Sequence, residues 1–246
     1  MGDNNSMRLA KRMAHAGLCS RREAERWIEA GKVFVNGKKI TTPAFTVTMA
    51  DRVVVNGEEL PTEQEKPMLF RFHKPKGYLC TNSDPQGRKT VFELFPPDMP
   101  RVMLVGRLDF NSEGLLLLTT DGDLAKKMMS PKNELERTYR VRIHGVLSEG
   151  HVKQLERGIR IDGFKYKPAK VELEEVNDEK RNQWIKLTIT EGKNREIRKI
   201  FDHFKMPVSR LIRISYGPFE LDKLSRKGIF QVSDAQLEKF ITTIHD

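Results

Sequence analysis

The chain has 246 residues, 38% hydrophobic and 32% charged, which suits packed cores under a strongly ionic surface. Lys and Arg number 44 against 34 Asp and Glu, a formal charge of +10 that favours a polyanionic partner such as nucleic acid, although a generally basic solvated surface gives the same balance. Cys19 and Cys80 have neither disulfide nor zinc spacing, the six histidines are scattered, and no stretch approaches the ~20 apolar residues of a membrane span, which excludes a disulfide scaffold, a legible metal site and membrane insertion. The start "MGDNNSMRLAKR" lacks the apolar core of an export signal, so a cytoplasmic location is expected.

From Met7 to Leu60 the local signals are dense. A first helix carries Leu9, Met13 and Ala16 on one face and stops near Gly17. A second begins at "SRREAERWIEAG", where Ser20 and Glu23 have capping-box spacing, Ala24, Trp27 and Ile28 form the buried stripe, and Gly31 ends it. "KVFVNGKKI" and "DRVVVNGEEL" follow as two β segments, each broken by Asn-Gly, the pair that favours a tight hairpin. Arg8, Lys11 and Arg12 have helical i, i+3, i+4 spacing, and Arg21, Arg22 and Arg26 belong to the second helix. Together they make a candidate phosphate-facing surface, while a solvated face balanced by Glu23, Glu25 and Glu29 is the plainer reading.

The order helix, arginine-rich helix, "KVFVNGK" strand resembles the S4-type RNA-binding domain, and the resemblance implies that residues 7–60 grip structured RNA. "PTEQEKP", residues 61–67, has two prolines and no apolar period, so it reads as a linker to a larger domain over 68–246.

In that larger part, "MLFRFHKPKGYLC" begins as a strand and breaks at Pro75 and Gly77. "TNSDPQGRKTVFELFP" reads as a polar loop leading into a short helical turn. Val102 to Val105 form a β segment, "GRLDFNSEG" a loop, and Leu115 to Thr119 a strand buried on both faces, since the flanking glycines argue against a core helix. Asp121 is placed to cap "GDLAKKMM", which ends at Ser130-Pro131. The strands "RTYRVRIHG", "KPAKVELEEV" and "QWIKLTITEG" precede a helix "NREIRKIFDHF", a strand "VSRLIRISYG" and a final helix "SDAQLEKFITTI". Strands outnumber helices and do not alternate with them, which predicts an α+β fold on a mixed, largely antiparallel sheet.

Asp109 has three uses on local grounds: a turn residue, a partner for Arg107, or a reactive carboxylate beside a dry leucine wall. There is no Gly-rich phosphate loop, no second acid at an informative spacing and no Ser or Cys with a convincing His. The remaining reactive groups are Tyr139 and the cluster Arg195, Arg198 and Lys199, which otherwise reads as an exposed basic helix end.

"GRLDFNSEGLLLLTTDGDLA", "ERTYRV", "EGKNREIRKIF" and "VSRLIRISYGPFEL", in this order behind an S4-type module, resemble the ribosomal RNA pseudouridine synthases of the RsuA/RluB/RluE/RluF branch. The resemblance implies isomerisation of uridine to pseudouridine without cofactor or metal. It further implies Asp109 as the essential carboxylate, Tyr139 as the active-site tyrosine, Arg198 as the basic partner of Asp109, and Arg107, Leu187 and Arg195 as substrate contacts, with Leu187 lining the uracil pocket. The chemistry cleaves C1′–N1, turns the uracil and forms C1′–C5, with Asp109 acting as nucleophile at C1′ or base at C2′. The base must leave its stack, most easily from a loop or bulge. Asn-Arg-Glu in "GKNREIRKIF", where the small-subunit type resembles Tyr-His-Gln, is closer to the large-subunit types, RluB before RluF. The expected substrate is 23S rRNA near the peptidyl-transferase region, taken by a monomer. A 16S rRNA synthase, a noncatalytic ribosome-assembly factor and a basic DNA-binding protein are the alternatives.

Overall fold

Two Asn-Gly pairs set the hairpins near the N-terminus. Asn36 and Gly37 have φ of 50° and 80°, and Asn56 and Gly57 of 51° and 90°, the left-handed pair that a two-residue hairpin needs. The structure, a computed structural model, describes residues 6–61, 66–177 and 182–245, the side chains of residues 175–177 excepted. Two compact units form. One holds the residues up to Pro67 with Asp98–Val102 and Thr120–Gly122, and the other holds Met68–Pro97, Met103–Thr119 and the chain from Asp123 onward. The linker expected over 61–67 has its centre, residues 62–65, outside the described residues.

The N-terminal unit runs β1 (Met7–Arg8), α1 (Leu9–His15), α2 (Arg21–Glu29), β2 (Val33–Val35), β3 (Lys38–Ile40), β4 (Thr46–Val47), β5 (Val53–Val55) and β6 (Glu58–Glu59). Its main sheet has the order β3-β2-β5-β6, all antiparallel, and β1 pairs with β4. Leu9 and Met13 of α1 and Ala24 and Ile28 of α2 pack on Val33, Val35, Val53 and Val55, with Ala16 and Trp27 only partly buried at the edge. Ser20 Oγ accepts from Glu23 N at 3.1 Å, so the cap forms, and Gly31 ends the helix at φ 66°.

The basic surface expected here is corrected at Arg12. Its side chain is 2% exposed, and its guanidinium donates to Thr48 O, Met49 Sδ and Pro61 O at 3.2, 2.9 and 2.6 Å. Burial pushes its pKa down against the pull of Asp51. Arg8 lies in β1 and caps α1 from outside, so Arg8, Lys11 and Arg12 do not share a helical face, and Arg12 falls on the buried side with Leu9 and Met13. Arg8, Arg21, Arg22 and Arg26 are exposed and Lys11 is half-buried.

The larger unit runs β7 (Leu69–Lys74), β8 (Met103–Val105), β9 (Glu113–Thr119), α3 (Gly122–Met129), β10 (Arg137–His144), α4 (Glu149–Arg157), β11 (Arg160–Ile161), β12 (Phe164–Lys165), β13 (Lys170–Asn177), β14 (Asn182–Ile189), α5 (Glu196–His203), β15 (Val208–Tyr216), β16 (Phe219–Glu220), β17 (Ile229–Gln231) and α6 (Asp234–Ile241). A mixed sheet has the order β13-β14-β10-β15-β9-β7-β17, with β16 on β15 and β8 on β9. Among the described residues its pairs are antiparallel except β9 with β15, as the sequence predicts for a largely antiparallel sheet.

All seven residues of β9 are buried, so its leucines face the core on both sides. Gly114 is required there: at φ 108° it faces the backbone of Arg213, and a Cβ would collide with it. Leu115 and Leu117 pack with Leu124 and Met128 of α3 and Leu237 and Phe240 of α6. Helix α4, in "LSEGHVKQLERG", is absent from the sequence-based reading, although Ser148 caps it through His151 N and Gly158 follows its last turn. Among the described residues, no helix is long and apolar enough to cross a membrane.

Candidate active site

The loop from Gly106 to Ser112 joins β8 to β9 and carries Asp109. Polar loop backbone near a core must find partners, and here several carbonyls are held from below. Lys74, the last residue of β7, is wholly buried and donates its ammonium to Pro75 O, Asp109 O and Ser112 O at 3.1, 3.1 and 2.9 Å. Burial pushes that ammonium below its usual pKa, with Cys80, Asp109 and Glu113 pulling the other way. Ser112 N donates back to Asp109 O, Gly77 N takes Phe110 O, and Arg198 reaches Asn111 O at 3.2 Å. The main chain at Asp109 is thereby fixed while its side chain stays 34% exposed.

Helix α5 brings two cations to that carboxylate. Arg195 Nη1 and Arg198 Nε stand 3.9 and 4.0 Å from Asp109 Oδ2, inside Coulomb range and beyond a direct hydrogen bond. Arg198 is anchored by donating to Val208 O at 3.0 Å, and burial, with the charge of Arg195, lowers its pKa. Arg195 has a left-handed backbone, φ 52°, at the N-cap of α5. At the first position of the same helix, Glu196 is buried and Lys193 N donates to it at 2.9 Å. Burial and the neighbouring Glu191 push its carboxyl up to about 8. Glu191 is held below its usual value: burial raises it, but Lys193 and the Lys167 amide outweigh that.

Asp109, Tyr139, Arg198, Arg195 and Arg107 all line one cleft of about 1140 Å³. Arg107 does so from an exposed position, and Tyr139 is 8% exposed on β10. Leu187 does not line it. That residue faces Tyr139 across β10 and β14 but is wholly buried beneath the surface, whereas Leu211 of β15 and Ile189 of β14 are among the apolar residues that do line the cleft. Both sit on neighbouring strand positions with the same apolar alternation, which "WIKLTI" and "VSRLIR" do not rank against each other. Sequence reasoning also missed Lys74, Ser112, Arg137, Glu191, Glu196 and Arg213. Of these, Lys74 carried a signal, a lysine closing the apolar strand "LFRF" ahead of a proline.

A second charged cluster braces the loop at its far end. Glu113, 2% exposed, accepts from Arg210 Nε at 2.6 Å, with Arg226 at 3.5 Å and Lys76 at 3.9 Å. Burial pushes this carboxyl up, but Arg210, then Lys76 and Arg226, outweigh it and leave the pKa lowered. Among the described residues no cluster of three His, Cys, Asp or Glu is placed to hold a metal ion.

Comparison with known proteins gives the family. The model for RNA pseudouridylate synthase matches residues 69–203, and the S4 domain model matches residues 7–53. An uncharacterized RNA pseudouridine synthase of Rickettsia felis is 45% identical over 94% of this chain and 99% of its own length. Ribosomal large subunit pseudouridine synthase B of Bacillus subtilis is 43% identical over 85% of each chain. A solved pseudouridylate synthase structure superposes with a TM-score of 0.66 at 29% identity, covering 95% of this chain and 99% of that one. With a carboxylate, a tyrosine and paired arginines around one cleft in the part that the family model matches, this chain belongs to the RNA pseudouridylate synthase family.

Proposed function

We propose that this enzyme isomerises selected uridines of large-subunit ribosomal RNA, with Asp109 as the reacting carboxylate. One observation carries the residue assignment: the Asp109 main chain is clamped by Lys74 while its carboxylate stands free of direct hydrogen-bond range, between two guanidinium groups and in the same cleft as Tyr139. Clamping a backbone while leaving the functional oxygen open is what a preorganised reactive group needs.

In this reading Tyr139 offers its ring to the extruded uracil, Arg198 holds the charge of Asp109 in place, and Arg195 and Arg107 contact the RNA around the target. The apolar wall includes Leu211 and Ile189 in place of Leu187. Asp109 begins the reaction as nucleophile at C1′ or base at C2′, and both routes start from the same open oxygen. Residues 7–60 hold the surrounding RNA fold through Arg8, Arg21, Arg22 and Arg26, residues 68–246 carry the chemistry, and the enzyme works in the cytoplasm as a monomer.

The names of the relatives in Bacillus subtilis and Salmonella typhi, large subunit synthases B, support 23S rRNA as the substrate. Resemblance in "GKNREIRKIF" supports the region near the peptidyl-transferase centre. The test is release of hydrogen from C5-labelled uridine in 23S rRNA, because moving the glycosidic bond from N1 to C5 must displace that hydrogen. Wild type releases it, and Asp109→Asn binds the RNA and releases none above background. Retained activity in that variant rules out the assignment, and mapping modified bases in a strain lacking the protein identifies the uridine.

A further inference from the structure

Three polar side-chain atoms in the walls of the cleft are buried without a hydrogen-bond partner among the described residues: Ser112 Oγ, Arg198 Nε and Arg213 Nη2. Buried polar groups are nearly always paired, and exceptions gather where a ligand completes them. Arg198 Nε faces Asp109, which accounts for it. Arg213 has no such account. It is 3% exposed in the middle of β15, its Nε donates to Leu115 O at 2.7 Å, and its guanidinium carbon lies 5.2 Å from the Tyr216 ring centroid, which leaves one terminal nitrogen unused.

Its place in the sheet says what that nitrogen meets. Arg213 is the register partner of Tyr139 across β10 and β15, so the two side chains are neighbours on one face. A base stacked on the Tyr139 ring presents its edge toward the next strand. The carbonyl oxygens O2 and O4 of uracil are the acceptors on such an edge.

We propose that Arg213 is a uracil-holding residue, donating from Nη2 to a carbonyl oxygen of the extruded base and stabilising the anion formed when the base is released. The proposal rests on the reading of Asp109 as the reacting carboxylate. When C1′–N1 breaks, its electron pair leaves with N1 and spreads onto O2 and O4. After the ring turns, C5 bonds to C1′, C5 gives up its proton and N1 takes one, so product and substrate contain the same atoms. A half-turn about the axis through N3 and C6 exchanges N1 with C5 and O2 with O4. A fixed donor therefore meets a carbonyl oxygen before and after the turn, and a buried guanidinium opposes the charge on the base between the two. Cytosine, with an amino group in place of O4, offers the acceptor in only one of the two orientations.

The test pairs enzyme variants with altered RNA. A 23S rRNA fragment is made with uridine, 2-thiouridine or 4-thiouridine at the mapped position, sulfur being the weaker acceptor. Single-turnover rates are then measured for wild type, Arg213→Gln and Arg213→Lys. Arg213→Gln is expected to slow uridine isomerisation about 10²-fold, the usual effect of removing one donor to a developing oxyanion, with RNA affinity unchanged. Sulfur in at least one position is expected to slow wild type about 10-fold more than it slows the variants, because only wild type has that bond to weaken. Equal sulfur effects in wild type and variants, or a wild-type rate in Arg213→Gln, overturn the proposal. If neither variant folds, irradiation of wild type bound to the 4-thiouridine RNA decides: a cross-link to β15 is expected, and its absence from β15 overturns the proposal. Asp109→Asn, run beside these on plain uridine, separates the two readings. Inactivity there with no role for Arg213 leaves the site assignment standing, and activity there overturns both.

Discussion

Arg198 holds Asp109 without bonding to it: Nε lies 4.0 Å from Oδ2 while the terminal nitrogens are spent on Val208 O and Asn111 O. The guanidinium is thus a strut between α5, β15 and the Asp109 loop, and its fork geometry matters as much as its charge.

Arg198→Lys keeps the charge and cannot span both carbonyls and the carboxylate. Turnover is expected to fall about 10²-fold with RNA affinity within twofold of wild type, read by single-turnover hydrogen release from C5. A lysine variant as fast as wild type rules out the strut.

Glu196 makes stability depend on pH between about 4.5 and 8. Burial and Glu191 raise its pKa from 4.5 to about 8, so between those values the folded state holds a proton that the unfolded chain releases. Its contribution is complete below about pH 4.5, declines as pH rises and is lost above about 8. Glu196→Gln has no proton to lose, so urea midpoints of wild type and variant are expected to diverge between about pH 5 and pH 8, the variant keeping more of its stability at the higher pH. Parallel pH profiles count against the pair.

Glu113→Gln leaves Arg210, Arg226 and Lys76 without their shared carboxylate. All three cations reach solvent, so the cost is smaller than for a fully buried pair, about 1–3 kcal/mol by urea denaturation at pH 7. The lowered carboxyl gives the sign: its contribution is present above the ordinary carboxylate value and lost as pH falls through the folded one, so wild type and variant converge in acid.

In the N-terminal unit, Arg12 is buried while Arg8, Arg21, Arg22 and Arg26 are exposed, and the proposed phosphate surface rests on the exposed ones. Arg12→Ala removes three bonds from a buried guanidinium and is expected to destabilise by about 2–3 kcal/mol. Arg22→Ala and Arg26→Ala are expected to leave stability within about 0.5 kcal/mol and to reduce the salt dependence of RNA binding by roughly one counterion each. Equal salt slopes for all variants remove the proposed phosphate surface.

What was legible in the sequence was local. The Asn-Gly hairpins, the Ser20 cap, the glycine after α2 and the continuous leucines of β9 each depend on residues within a few positions of one another, and all formed as expected. Arg12 was misread because its acceptors, Thr48 and Pro61, are 36 and 49 residues away. Glu113 draws its cations from positions 76, 210 and 226, and Lys74 finds Ser112 38 residues on, so neither role leaves a spacing to detect. Leu187 lies off the cleft while Leu211 lines it, and because β14 and β15, the two strands that flank β10, carry similar alternation, only register decides which side chain meets the cleft.

The single parallel pairing among the described strands, β9 with β15, also fixes when the site can come into being. Asp109 lies in the loop that leads into one strand and Arg198 in the helix that precedes the other, with the antiparallel strands β10 and β14 formed between them in the chain. A contact that spans about ninety residues has a high loop-closure cost and follows the nearer pairings. During synthesis, β15 leaves the ribosome after β7, β9, β10 and β14. Competence is therefore gained in one late step of folding, and a chain truncated before residue 208 is expected to carry every residue of the Asp109 loop and still lack the strand against which Arg198 is braced.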